Sequence, residues 1–153
     1  MVEEPLEVLV VEDNPGDVRL ITAGFEESSV DRSLTVVRDG AAAVDYLLQR
    51  NGYGSADRPD LVFLDLNIPK RTGQDVLERV QDDPDLSSVP VLVLTGSRAD
   101  NHVLETHERG ADGYFVKPAD PHEFISLVEA VANTLVSSGT VPPGEYADID
   151  RAR

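Results

Sequence analysis

From Leu6 to Val136 two kinds of segment alternate: short β-branched or aliphatic runs that end in polar residues, and longer stretches whose apolar residues recur at helical spacing. Strands joined by helices of this length cannot pair as hairpins, so the chain is confined to a parallel sheet with right-handed crossovers. The strands are expected at Leu6 to Val11, Ser33 to Arg38, Leu61 to Leu64, Val91 to Leu94 and Gly113 to Val116. Three are nearly continuous apolar runs, as required when helices cover both faces of the sheet. The second strand is more polar and suits an edge.

The helices carry start and stop signals. Asn14 followed by Pro15 reads as an N-cap with a first-turn proline, and Asp17 stands where it would return the cap. That helix is predicted to run to about Glu27, with Val18, Ile21 and Phe25 as its core stripe. A second covers Ala41 to Gln49, and a third runs from Gly73 to Val80, before the Asp82 to Asp85 breaker. A fourth spans Ala99 to Arg109 and is closed by Gly110. The fifth starts at the Asp120, Pro121, Glu123 cap and buries Phe124, Leu127, Val128, Val131 and Leu135. Beyond Val136 the composition shifts to Ser, Gly and Pro, a tail too short to fold by itself.

Charge restricts the partners. Thirteen basic residues against twenty-nine acidic ones leave a formal net charge of −16, so phosphate backbones and anionic lipid surfaces are repelled over most of the molecule. With 41% hydrophobic residues the chain can still build a core, which places the acid on its surface. Asp outnumbers Glu, and only Lys70 and Lys117 are lysines, a bias that resembles proteins adapted to high salt. The chain has no cysteine, hence no disulfide and no thiolate metal site. Met1 to Glu4 lack the positive start of a signal peptide, and no apolar run reaches the roughly 20 residues that span a bilayer, so a cytoplasmic protein is expected.

In open parallel sheets ligands sit beyond the carboxyl ends of the strands. There the first strand delivers Glu12 and Asp13, the third Asp65 with Asn67 two residues on, the fourth Thr95 and the fifth Lys117. Three carboxylates held close together repel unless they protonate or share a cation. Hard oxygen donors select magnesium or calcium, and magnesium favours one or two carboxylates together with phosphate oxygens. Lys117 and Thr95 would then meet phosphoryl oxygens, and one carboxylate is free to act as nucleophile.

These residues carry a resemblance. The segments VLVVEDNPGD at 8 to 17, RPDLVFLDLNIPKRTG at 58 to 73, PVLVLTGS at 90 to 97 and GADGYFVKP at 110 to 118 are similar to the receiver domain of two-component response regulators. Within that family the chain looks most like small single-domain regulators that partner phytochrome-like and other histidine kinases. The resemblance implies an α/β, flavodoxin-like, doubly wound five-stranded parallel sheet of order 2-1-3-4-5 with five flanking helices. It covers residues 5–137 and leaves 138–153 as a polar tail.

It further implies that Asp65 is the phosphoacceptor, that Asp13, Asp65 and the Asn67 carbonyl hold Mg2+ directly and Glu12 holds it through water, and that Lys117 pairs with the phosphoryl group. Lys117-Pro118 would be a cis peptide, Gly96 would leave the site accessible, and Thr95 with Tyr114 would form the switch pair. The implied partners are a sensor histidine kinase and a downstream protein, with homodimerisation through the last two helices plausible and no nucleic acid or membrane involved. Lys70 and Arg71 form a small basic spot beside the pocket, whereas His102, His107 and His122 share no motif and read as solvent-facing.

Rival chemistries meet specific obstacles. A phosphatase with an aspartate nucleophile needs a second acid where this chain has Asn67, and a flavin carrier needs a hydroxyl- and glycine-rich loop where EDNPGD would repel phosphate. An interaction module without phosphoryl chemistry would have no use for the complete set of six strand-end residues.

Overall fold

A computed structural model describes residues 5–70, 72–96 and 111–142. Its strands are β1 (Leu6–Val11), β2 (Arg32–Val37), β3 (Leu61–Leu64), β4 (Val91–Thr95) and β5 (Gly113–Val116). The described helices are α1 (Pro15–Ser28), α2 (Gly40–Leu47), α3 (Gly73–Asp82) and, numbered here as α4, Pro121–Ser138. The helix expected at Ala99 to Arg109, with His102 and His107, lies outside the described residues.

All five strands are parallel, in the order β2-β1-β3-β4-β5. This is the doubly wound, flavodoxin-like order expected above. Side chains alternate across the sheet as the period of two demands. Leu9, Val11, Val62, Leu64, Val91 and Val93 pack with Val44, Leu47, Val76 and Leu77 of α2 and α3. Val8, Val10, Leu61, Phe63, Leu92 and Leu94 pack with Ile21, Phe25, Phe124 and Val128 of α1 and α4. The strands with neighbours on both sides are therefore apolar apart from Glu7 at the start of β1 and Thr95 at the end of β4, whereas edge strand β2 leaves Val36 37% exposed.

Local signals set the helix ends. The Asn14 side chain accepts from the Gly16 and Asp17 N–H groups, Asp39 from Ala42, Thr72 from Asp75, and Asp120 from His122. Asp39 starts α2 one residue earlier than the pattern suggested. A left-handed Gln49, at φ 56°, follows its end. Beyond α4, Val141 folds back and is buried with the α1 and α4 core.

Two glycines permit close approach. A Cβ on Gly24 would lie 2.4 Å from Val128 Cβ, so α1 and α4 meet at a distance only glycine allows. A Cβ on Gly73 would lie 2.7 Å from the Asp65 carbonyl oxygen and 2.6 Å from Leu66 Cα. The start of α3 thus closes directly onto the backbone that carries Asp65.

Candidate functional site

The sheet register aligns the strand ends. Val11 lies beside both Val37 and Leu64, Leu64 beside Val93, and Val93 beside Tyr114. Pairing continues past the strands themselves: Asp65 N–H donates to the Val11 carbonyl at 3.1 Å and Lys117 N–H to the Thr95 carbonyl at 2.6 Å. Glu12 N–H likewise donates to the Val37 carbonyl at 3.0 Å. The polar residues that follow β1, β3, β4 and β5 therefore start from backbone positions held by the ladder, not from free loops. The acids of β1 and β3 flank the point where the winding reverses direction, where sheets of this type bind ligands.

Lys117 joins these ends. Its Nζ lies 2.6 Å from Glu12 Oε1, 2.7 Å from Asp17 Oδ2 and 2.9 Å from Asp65 Oδ2. The lysine reaches from β5 across β4 and β3 to acids on β1, α1 and β3. Asp65 Oδ1 accepts from the Asn67 backbone N–H at 2.9 Å, so both carboxylate oxygens are held.

Glu12 and Asp65 are buried and Asp13 is exposed, yet one oxygen from each lies within 4.8 Å of the others. This donor set fits a divalent ion: three hard carboxylate ligands converge, and one side of the cluster is open to solvent. Burial pushes the Glu12 carboxyl up to about 7; the Lys117 ammonium lowers it and the neighbouring Asp65 raises it. Burial acts to lower the Lys117 amine as well, but its bonds to Asp17, Glu12 and Asp65 win, and the net shift is upward. Without an ion, one ammonium balances several carboxylates, and the cluster is short of positive charge.

Thr95 and Tyr114 are both fully buried, Thr95 at the end of β4 and Tyr114 within the α2 and α3 side of the core. Asn67 is exposed and turns its backbone N–H, not its side chain, toward Asp65. At Gly96 a Cβ would meet open space among the described residues.

Two expectations are corrected. Asp17 does not return the α1 cap. The Asn14 N–H instead donates to Glu12 Oε2 at 3.2 Å, and Asp17 turns inward to Lys117, because a charge-assisted bond to a half-buried ammonium outweighs a bond to an exposed amide. The Lys117-Pro118 peptide bond, expected cis, is trans, the form intrinsically favoured for X–Pro bonds by about 0.5–1 kcal/mol. Lys70, expected in a basic spot beside the pocket, pairs with Asp39 at 3.5 Å, and Arg71 lies outside the described residues. The Lys70 backbone, at φ 71°, is left-handed and carries the side chain toward Asp39 at the α2 start.

Asp17 is also the site residue that sequence reasoning missed. The signal was available, since Pro15 at the first helical position places Asp17 in the first turn, close to the strand ends. It was masked by the equally good capping reading.

Comparison with known proteins gives a consistent result. Residues 8–129 match the response regulator receiver domain. The chain belongs to the response regulator receiver family. It is 34% identical over 138 residues to the response regulator Rcp1 of Synechocystis sp., covering 90% of this chain and 94% of that one. The crystal structure of the Mn(2+)-bound form of Rcp1 superposes with a TM-score of 0.84 at 34% identity, covering 90% of this chain and 99% of the other. That of the phosphorylated cyanobacterial phytochrome response regulator RcpA gives 0.86 at 34% identity, with 91% and 99% covered.

Receivers of this family are phosphorylation-dependent signalling proteins that interact with histidine kinases, rather than enzymes with a turned-over substrate. They bind a divalent metal ion, and in this receiver Glu12, Asp13 and Asp65 are the residues that could hold it. Among the described residues no helix is long and apolar enough to cross a membrane.

Proposed function

We propose that this receiver accepts a phosphoryl group on Asp65 from a phosphohistidine of a sensor histidine kinase, in a magnesium-dependent reaction, and that a partner protein reads the resulting change of surface. The observation that carries the reading is the setting of Asp65: a buried carboxylate bound by Lys117 at 2.9 Å, inside a three-acid cluster at the ends of β1 and β3.

In the transfer, an Asp65 oxygen bonds to phosphorus as the donor's P–N bond breaks, and the imidazole leaves with that electron pair. Asp13, Asp65 and the Asn67 carbonyl would hold Mg2+ directly and Glu12 through water, and the ion would supply the positive charge that lets anionic nucleophile and anionic donor approach. Lys117 holds the Asp65 carboxylate before transfer and turns to a phosphoryl oxygen after it. The Asn67 N–H fixes the rotamer of Asp65. Thr95 then offers its hydroxyl to another phosphoryl oxygen and vacates space beside β4, to which Tyr114 responds.

The receiver unit covers residues 5–137, and Val141 just beyond it packs back on its core. The net charge of −16 supports a protein partner over nucleic acid or membrane and an acid-rich surface suited to high salt. Homodimerisation through the face that includes β5 and α4 fits the same scheme. The test is incubation with Mg2+ and acetyl phosphate followed by peptide mapping. Label on Asp65 that is lost with chelator and in Asp65→Ala is expected; label elsewhere, or label indifferent to Mg2+, overturns the reading.

A further inference from the structure

A lysine ammonium has three N–H donors, and at Lys117 each faces a different carboxylate. Two of these, Glu12 and Asp65, belong to the acid cluster that could hold a metal ion, and the third, Asp17, does not. Asp17 sits on α1, its side chain is 21% exposed, and its bond to Lys117 at 2.7 Å is shorter than that of Asp65 at 2.9 Å. The bland role for an acid in the first turn of a helix is to cap it or to oppose its dipole. The capping role does not account for this geometry, because the Asn14 N–H that a reciprocal cap would satisfy is bound by Glu12, and a dipole interaction calls for no bond to Lys117.

The consequence follows from what phosphorylation changes, and it rests on the reading of Asp65 and Lys117 given above. Esterification of Asp65 removes the carboxylate charge that Lys117 neutralises and places more negative charge on the phosphoryl oxygens. Asp17 is chemically untouched and keeps its claim on the same ammonium. We propose that Asp17 is a positioning residue that competes with the phosphoryl group for Lys117, holding the amine toward α1 and so weakening this receiver's grip on its phosphorylated state. Its carboxylate also adds negative charge beside a site that must take up an anion.

The test uses the full chain at saturating Mg2+, with beryllofluoride as the phosphoryl mimic and intrinsic tyrosine fluorescence or amide NMR shifts as readout. Asp17→Asn, which keeps the shape and removes the charge, is expected to bind beryllofluoride roughly three- to thirtyfold more tightly. Asp17→Glu, which keeps the charge, is expected to stay within about twofold of the parent. Mg2+ affinity measured without beryllofluoride should fall or stay unchanged in Asp17→Asn, so the two ligands respond differently. A purely structural role would loosen α1 and weaken both. Equal or weaker beryllofluoride binding by Asp17→Asn, or the same gain in Asp17→Glu, overturns the proposal. Failure of the parent protein to bind beryllofluoride with Mg2+ instead overturns the phosphoacceptor reading itself, and this inference with it.

Discussion

The two halves of the site are built from opposite materials. At the β1 and β3 ends, Glu12, Asp13 and Asp65 bring like charges together with too little counter-charge. At the β4 and β5 ends, Thr95 and Tyr114 are uncharged and fully buried, continuous with the apolar core. On the proposed reading the first half gains from a cation and a phosphoryl group, and the second repacks. Lys117 belongs to both, since its backbone is held to Thr95 and its ammonium lies among the acids. On that reading, chemistry and readout are separated by one strand spacing and share one charged link, Lys117.

The comparison breaks most completely at Asp65. Asp65→Asn is expected to abolish incorporation of label from acetyl phosphate, measured by intact-protein mass, while Tyr114→Phe keeps it. If both lose label, the halves are not separable. Next, Lys117→Met strands its carboxylates without their ammonium. In chelator this is expected to cost about 3–5 kcal/mol in urea unfolding, with much of the loss recovered in millimolar Mg2+. An equal loss with and without Mg2+ would assign the lysine to packing alone.

A smaller effect sharpens the electrostatic half. Glu12 has its folded pKa raised to about 7 from 4.5, so the folded state holds its proton more tightly than the unfolded chain does. Its contribution to stability is complete below pH 4.5 and is lost as pH rises through about 7, on the order of a few kcal/mol in metal-free protein. Lys117, raised from an already high value, stays charged across this window and adds no slope. Chemical unfolding of the parent and of Glu12→Gln in chelator between pH 4.5 and 7.5 checks this: the substitution should flatten the profile. Smallest is Thr95→Val, expected to destabilise by about 1 kcal/mol, the net worth of a hydrogen bond, because the methyl keeps the shape but not the hydroxyl's hydrogen-bonding capacity. The same variant should blunt the tyrosine fluorescence change on beryllofluoride addition, which a neutral packing position would leave intact.

Much of this was legible in the chain. The β1, β3 and β5 boundaries coincide with runs that are apolar apart from Glu7 near the start of β1, because helices cover the sheet faces. Glu12, Asp65 and Lys117 stood out as polar residues directly after such runs. Less legible were the helix ends, where Asp39 and Asp83 act as caps that residue patterns alone rank equally with solvent-facing acids. Asp17 was read for its helix and used for its lysine, a choice between two partners that are 3 and 100 residues away along the chain.

The amino-acid order by itself determined the alternation of strand and helix, the burial of both sheet faces and the set of polar residues delivered to one edge, because periodicity and propensity act over a few residues. Tertiary structure alone decided which acids share the single ammonium. That depends on angstrom-scale distances among side chains from β1, α1, β3 and β5, set by strand register and by the glycine-permitted closure of α1 on α4 and of α3 on Asp65. Charge at short range then favours the bond between half-buried ions over a bond to a neighbouring amide.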